Sequence, residues 1–450
     1  MERTRFLHLL FLSLLSVVAA EVTAAVDNED DAAIARFQEY LRIDTAHPSP
    51  DYAAAARFLL VQASSLGLRA ETIEFIAGKP LVLLSWTGRR PSLPSILLNS
   101  HIDVVPAEPH KWHHPPFSAA ADSSGKIFAR GSQDMKCVGV QYLEAIRRLK
   151  AKGFSPERTI HLSFVPDEEI GGKDGAGAFV QSGKFRELNV GLVLDEGLAS
   201  PGEEYRVFYG ERSPWWMVIK ARGAPGHGAR LYDGSAMENL VKSLEVIRRF
   251  RASQFDLVKA GKKAEGEVVS VNMVFLNAGT PSSTSRMGFV MNVQPSEAEA
   301  GFDIRLPPNL DAEALERRIE EEWAPSSRNL TFEFVQKVPV LDKFGNPAIT
   351  RSDSSNPWWT LLEGAVKKAN GKLGKPEIFP ASTDARYFRE LGIPAFGFSP
   401  MTNTPILLHD HNEFLSTAEY LKGIGIYESI IWELATYKDP AEDKETLAEL

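Results

Sequence analysis

Only one cysteine, Cys137, occurs in 450 residues. The chain can form no internal disulfide, so a disulfide-stapled fold is excluded. Its stability must come from an apolar core, with help from ligands where they bind. Beyond the N-terminus no run is long and apolar enough to span a bilayer. There is no long basic run, and the formal net charge is −9. Nucleic acid is therefore not an expected partner. No internal repeat or low-complexity tract is present.

What is there is ordinary for globular domains: 44% hydrophobic and 24% charged residues, at a length that allows two or three domains. The N-terminus departs from this. Arg3 and Arg5 precede the apolar run 6–15, and small residues follow through Ala20 and Ala25. This is the pattern of a secretory signal peptide, cleaved after Ala20 or Ala25. Residues 1–25 are assigned to it. The mature chain is then expected in the secretory pathway (extracellular, ER or vacuolar) with no membrane segment. The C-terminus, Ala448-Glu449-Leu450, is not an ER-retention signal. Asn329-Leu330-Thr331 is a glycosylation sequon, which suits a secreted surface.

The stretch ILLNSHIDVVP, 96–106, organises the rest. Its apolar start reads as a central strand covered on both faces. His101 and Asp103 follow at its C-terminal end, where open α/β sheets bind ligands. One of the two can hold a metal while the other orients it. Two more apolar strands end alike. Thr159–Val165 runs into Asp167-Glu168-Glu169-Ile170-Gly171-Gly172, and Val190–Leu194 into Asp195-Glu196-Gly197. Asp134 stands at the expected N-terminus of a helix over 135–150, where capping alone accounts for an aspartate. His110, His113 and His114 fall in a Pro- and Trp-containing stretch that reads as an irregular surface loop.

From Arg212 the pattern changes. Strand, helix, two strands, helix and strand follow through Val338, a self-contained β-α-β-β-α-β unit. It reads as a domain, 212–338, inserted into a catalytic domain made of 26–211 and 339–450. The expected fold class is α/β: a mostly parallel sheet flanked by helices, carrying an inserted βαββαβ domain.

His101, Asp134, Glu169, Asp195 and a histidine near 409 form a donor set suited to two divalent zinc ions, one carboxylate bridging them. A water between two such ions becomes a hydroxide near neutral pH. A further carboxylate has to take its proton. Adjacent glutamates point different ways, so Glu168-Glu169 offers one ligand and one base.

The runs HIDVVP, GSQDMK, PDEEIGG, LDEG, GAPGHGA, FDIR, STDARYF and HDHNE together resemble the aminoacylase I family of dinuclear zinc exopeptidases and amidohydrolases. The resemblance covers nearly all of the chain after residue 25. It implies a zinc-exopeptidase-like catalytic domain, an inserted lid and dimerisation domain, two Zn²⁺ per subunit, and hydrolysis of N-acyl-L-amino acids by a homodimer. By motif, His101 would bind one zinc, Asp134 would bridge, and Asp195 would complete the first site. Glu169 and His409 would bind the second zinc, His411 being spare. Asp103 would orient His101 and Glu168 would be the general base. The peptide bond Asp134–Met135 would be cis. In the inserted domain, His227 would polarise the scissile carbonyl in the partner subunit's site, and Asn292 and Arg305 would touch substrate. Arg386 would clamp the substrate carboxylate, a task that suits a guanidinium fork. Two alternatives fit the same motifs: a dipeptidase of the same zinc group, and an inactive relative that binds acyl-amino acids.

Overall fold

The three apolar runs that end in His101, the Glu168-Glu169 pair and Asp195 become strands whose burial explains their composition. The computed structural model describes residues 28–438. The expected signal peptide and the acidic tail from Asp439 lie outside the described residues. The chain divides into two compact units. The first takes residues up to Val207, Asp353–Lys375 and those from Phe398; the second takes Phe208–Ser352 and Pro376–Gly397. The second unit is thus wider than the 212–338 expected, and it also takes in the helix Ala385–Glu390 that carries Arg386.

The first unit begins with helix α1 over 28–41. Helix α2 follows, Tyr52–Leu66. The Asp51 side chain accepts the Ala54 N–H and opens it, and Gly67 closes it at φ 60°, where a side chain would be strained. Then come β1 (Arg69–Glu74), β2 (Pro80–Trp86), β3 (Ser95–His101), α3 (Lys136–Ala151), β4 (Ile160–Val165) and β5 (Val190–Asp195). Their sheet order is β1-β2-β4-β3-β5. The first two pairings are antiparallel, and β4-β3-β5 are parallel. All seven residues of β3 and all six of β4 are buried, the continuous burial that a strand covered on both faces needs. Because β3, β4 and β5 are parallel, their C-terminal ends open on one edge.

In the second unit, β6 (Ser213–Arg222), α4 (Ala236–Lys259), β7 (Ser270–Ala278), β8 (Glu297–Leu306), α5 (Ala312–Arg318) and β9 (Leu330–Lys337) follow in the expected order. The sheet runs β7-β8-β6-β9, every pair antiparallel. Inward side chains of β6 and β8, among them Trp215, Ile219, Phe302 and Ile304, pack with Leu240, Ile247 and Trp323 into this unit's own core.

The first unit resumes with α6 (Pro357–Lys368) and ends with α7 (Thr417–Thr436). Asn356 and Ser416 cap them through side-chain oxygens. Helix α7 packs on α3 and α6, and α3 on β3, so helices cover the strands that deliver the site. The fold class is α/β, as the order of elements predicts. Among the described residues, no helix is long and apolar enough to cross a membrane.

Candidate metal centre

The edge formed by β3, β4 and β5 gathers acids and imidazoles in two sets that share one residue. His101, Asp134 and Glu196 form one set; Asp134, Glu169 and His409 form the other. Within each, the candidate donor atoms lie within 4.8 Å of one another. Asp134 joins them with separate oxygens. Its Oδ1 lies 3.0 Å from His101 Nε2, and its Oδ2 lies 3.2 Å from His409 Nε2. His409 Nε2 is also 3.0 Å from Glu169 Oε2.

Asp134 does not cap α3. The helix starts at Lys136 with Met135 as its cap, and the peptide bond Asp134–Met135 is cis. The Asp134 turn is held from the far end of the chain. Glu413, fully buried, accepts N–H groups from Gly131, Gln133 and Asp134 and the guanidinium Nη1 of Arg130 at 2.8 Å. Arg130 also donates to the carbonyls of His409 and Asp410. One buried ion pair therefore sets both the aspartate shared by the two sets and the loop of His409.

His101 is fixed through its other nitrogen. Nδ1 lies 2.8 Å from the main-chain oxygen of Asp103, while the Asp103 carboxylate stands 3.6 Å away. That carboxylate also has a second task. Its two oxygens accept the N–H groups of Glu168 and Glu169, each at 3.1 Å, and Oδ2 also meets His47 Nε2 at 2.8 Å. It thus holds the Glu-Glu turn that follows β4, a 3-10 turn opened by Asp167 at φ 62°.

Asp195, expected as a ligand, stands outside both sets. Asn99 donates to its Oδ1 at 3.0 Å, and its Oδ2 is buried without a hydrogen bond. The neighbouring Glu196 takes the place instead, its Oε2 3.9 Å from His101 Nε2. Side chains alternate along a strand, so one of the two acids at the end of β5 can face the cluster and the other cannot. His411 turns away to Glu108, 3.5 Å off. His110 and His113 are exposed in their loop, and His114 rests on Phe128.

The electrostatics of the cluster call for cations. Burial, then the Asp134 charge, push the Glu169 and Glu196 carboxyls above the usual carboxylate range. Burial opposes the Asp134 charge, but hydrogen bonds from His101 and His409 outweigh it and hold that carboxyl low. His409 is raised to about 10, chiefly by its bonds to Asp134 and Glu169. Glu169 Oε1 is buried with no hydrogen-bond partner. Three carboxylates around two imidazoles, one of them with an unsatisfied buried oxygen, fit divalent metal ions far better than they fit one another.

The second unit holds the remaining residues expected at the site. His227 and Asn292 come together in a short ribbon, where Gly226-His227 pairs with Val293-Gln294. His227 is exposed, and its Nδ1 accepts the Ala229 N–H. Arg305 is engaged by Asp303 through Nε at 2.7 Å and Nη2 at 2.9 Å, and its Nη1 reaches Ser382 Oγ at 3.4 Å. Arg386 donates to the Thr383 carbonyl at 2.7 Å and lies over the Tyr387 ring. Glu196, His47 and Glu413 carry no expectation from the sequence. LDEG contains Glu196 and HDHNE contains Glu413, so motif length was the available signal for those two; nothing marks His47.

Comparison with known proteins agrees. The model of peptidase family M20/M25/M40 matches residues 97–433. Aminoacylase-1 of Mus musculus is 45% identical over 416 residues, 92% of this chain and 98% of its own. Aminoacylase-1 of Dictyostelium discoideum is 48% identical over 400 residues, 88% and 95% of the two chains. Human carnosine dipeptidase 1 shares the fold, with a TM-score of 0.62 at 16% identity over 92% of this chain and 98% of that one. By its family match and by these identities, the chain belongs to peptidase family M20/M25/M40, in its aminoacylase-1 branch.

Proposed function

We propose that this protein is a metal-dependent amidohydrolase that splits N-acyl-L-amino acids into a carboxylate and a free amino acid. The observation that carries the reading is the pair of donor sets sharing Asp134, with Glu168 beside them on the Asp103-held turn. The aminoacylase-1 relatives indicate the substrate class. His101, Asp134 and Glu196 would hold one cation; Asp134, Glu169 and His409 would hold a second, both zinc by their nitrogen and carboxylate donors. Such ions supply Lewis-acid polarisation and stabilise negative charge on oxygen.

The chain's own groups do the rest. Glu168 takes the proton of the attacking water and returns it to the leaving nitrogen. Asp103 fixes that glutamate's backbone and, through its carbonyl, the ring of His101. The protein acts as a homodimer, and the exposed His227 donates a hydrogen bond to the developing oxyanion of the partner subunit's substrate. Arg386 grips the substrate carboxylate; Arg305 and Asn292, the latter on the same ribbon as His227, touch substrate. The signal-like N-terminus and the exposed sequon at Asn329 support entry into the secretory pathway and glycosylation there.

Purified protein is to be assayed with N-acetyl-methionine, its amide and a dipeptide, each with and without chelator. The acid is expected to be the best substrate, with activity lost to chelator. Faster cleavage of the dipeptide would move the protein to the peptidases. Equal hydrolysis of acid and amide would remove the role of Arg386.

A further inference from the structure

Arg212, at the start of the second unit, is 4% exposed and has no carboxylate partner among the described residues. Buried arginines are normally paired, because an unpaired charge away from water is costly. Here Nε donates to the Pro380 carbonyl at 2.6 Å and Nη1 to the Val268 carbonyl at 3.4 Å. Nη2 makes no hydrogen bond among the described residues. Of the two acids whose charge it feels, Asp303 is chelated by Arg305, and Glu265 lies beyond ion-pair distance. Burial lowers the guanidinium to about 10. The Nη2 edge of this guanidinium is therefore left for an anion to approach.

A cavity of about 200 Å³ adjoins this arginine, lined also by Arg251, Gln254, Phe255, Val258 and Glu265. That is below the roughly 300–1,000 Å³ of pockets for drug-sized ligands, so the occupant is small. Arg251 lines the cavity with its Nε donating to Asn272 Oδ1 at 3.2 Å and its guanidinium over the Phe255 ring. Gln254 is anchored by accepting the Val269 N–H at 3.1 Å. The walls thus offer two guanidinium groups, one carboxylate, and apolar surface from Phe255 and Val258. An inorganic anion uses only the first of these.

We infer that this cavity binds a free α-amino acid, its carboxylate on Arg212 and Arg251, its ammonium on Glu265 and an apolar side chain against Phe255 and Val258. The proposal goes beyond the proposed activity and stands without it. If that activity is right, the ligand is also the product, and the cavity is a site for product that shares no residue with the metal cluster.

Calorimetric titration of L-leucine into the metal-loaded protein tests this. An Arg386→Ala background removes the proposed carboxylate clamp. Binding should persist there and weaken at least tenfold with Glu265→Gln and with Arg251→Gln. Both positions are at the exposed rim, so neither should change the melting temperature or basal hydrolysis. Arg212→Gln, if it melts as the parent does, should abolish binding; the rim variants decide the matter if it does not fold. 4-Methylpentanoate, which lacks the ammonium, should bind at least tenfold more weakly than leucine. Equal binding of the two compounds would overturn the amino-acid assignment. Leucine binding that is absent, or unmoved by both rim variants, would overturn the site.

Discussion

Glu413 and Asp134 are 279 residues apart in sequence, yet the Glu413 carboxylate accepts the Asp134 main-chain N–H at 3.3 Å. It does so while paired with the buried Arg130. Removing one member of a buried ion pair leaves the other uncompensated, at a cost of about 3–5 kcal/mol. Glu413→Ala should therefore lower the unfolding free energy by about that amount in denaturant titrations. It should also loosen metal binding, because Asp134 and the His409 loop lose a common support. Unchanged stability with unchanged metal content would remove Glu413 from this role.

Asp195 and Glu196 separate by consequence. Glu196→Gln should lose metal, since a carboxylate donor of the His101 set goes. Asp195→Asn should keep its metal and be felt mainly as stability, through the bond from Asn99. Metal analysis of the two purified variants checks this; the reverse pattern would restore Asp195 as the ligand.

That pair also shows what was legible in the sequence. The three apolar strands announce themselves by uninterrupted burial-type composition, and their acids and His101 mark the shared edge. Which of two adjacent acids turns inward depends on where the strand ends, and composition carries no such information. His47 reaches Asp103 from a loop with no motif of its own, so only the fold brings it there. The second unit's order of strands and helices was readable from periodicity. Its outer limits were not, because Pro376–Gly397 joins that unit from far along the chain. Arg305 was readable as a strand-end charge, but its chelation by Asp303 needs the side-chain geometry.

His161 gives the fold a pH dependence. It sits in β4, is 7% exposed, and its Nδ1 meets Ser85 Oγ at 2.8 Å. Burial, aided by the charges of Arg69 and Lys184, lowers its pKa to about 4. An unfolded chain protonates this ring near 6.5, so between pH 6.5 and 4 the unfolded state binds the extra proton. The stability owed to the neutral ring is complete above 6.5 and is lost as pH falls, by about 3 kcal/mol at the lower end. His161→Gln should lack this component. The difference between parent and variant unfolding free energies should therefore change over that window and stay flat above pH 7. A flat difference throughout would contradict the assignment.

The role given to His227 requires two chains. Glu168→Ala and His227→Ala should each be nearly inactive as homodimers. In a verified mixed dimer, one site combines intact Glu168 with intact His227 from the partner subunit, while the other lacks both. About half of the parental activity per dimer should return. Mixed dimers as inactive as their parents would place the histidine in its own chain's site or outside the chemistry.

The central claim is that Glu168 moves protons beside a cluster that holds metal through its neighbour Glu169. The most direct measurement is zinc content together with turnover of N-acetyl-methionine in Glu168→Gln and Glu169→Gln. The first variant should retain its metal and lose turnover by about 10²–10⁴-fold, the contribution of a positioned general base. The second should lose metal at Asp134, Glu169 and His409. A Glu168 variant that drops its metal while the Glu169 variant keeps it would contradict the account.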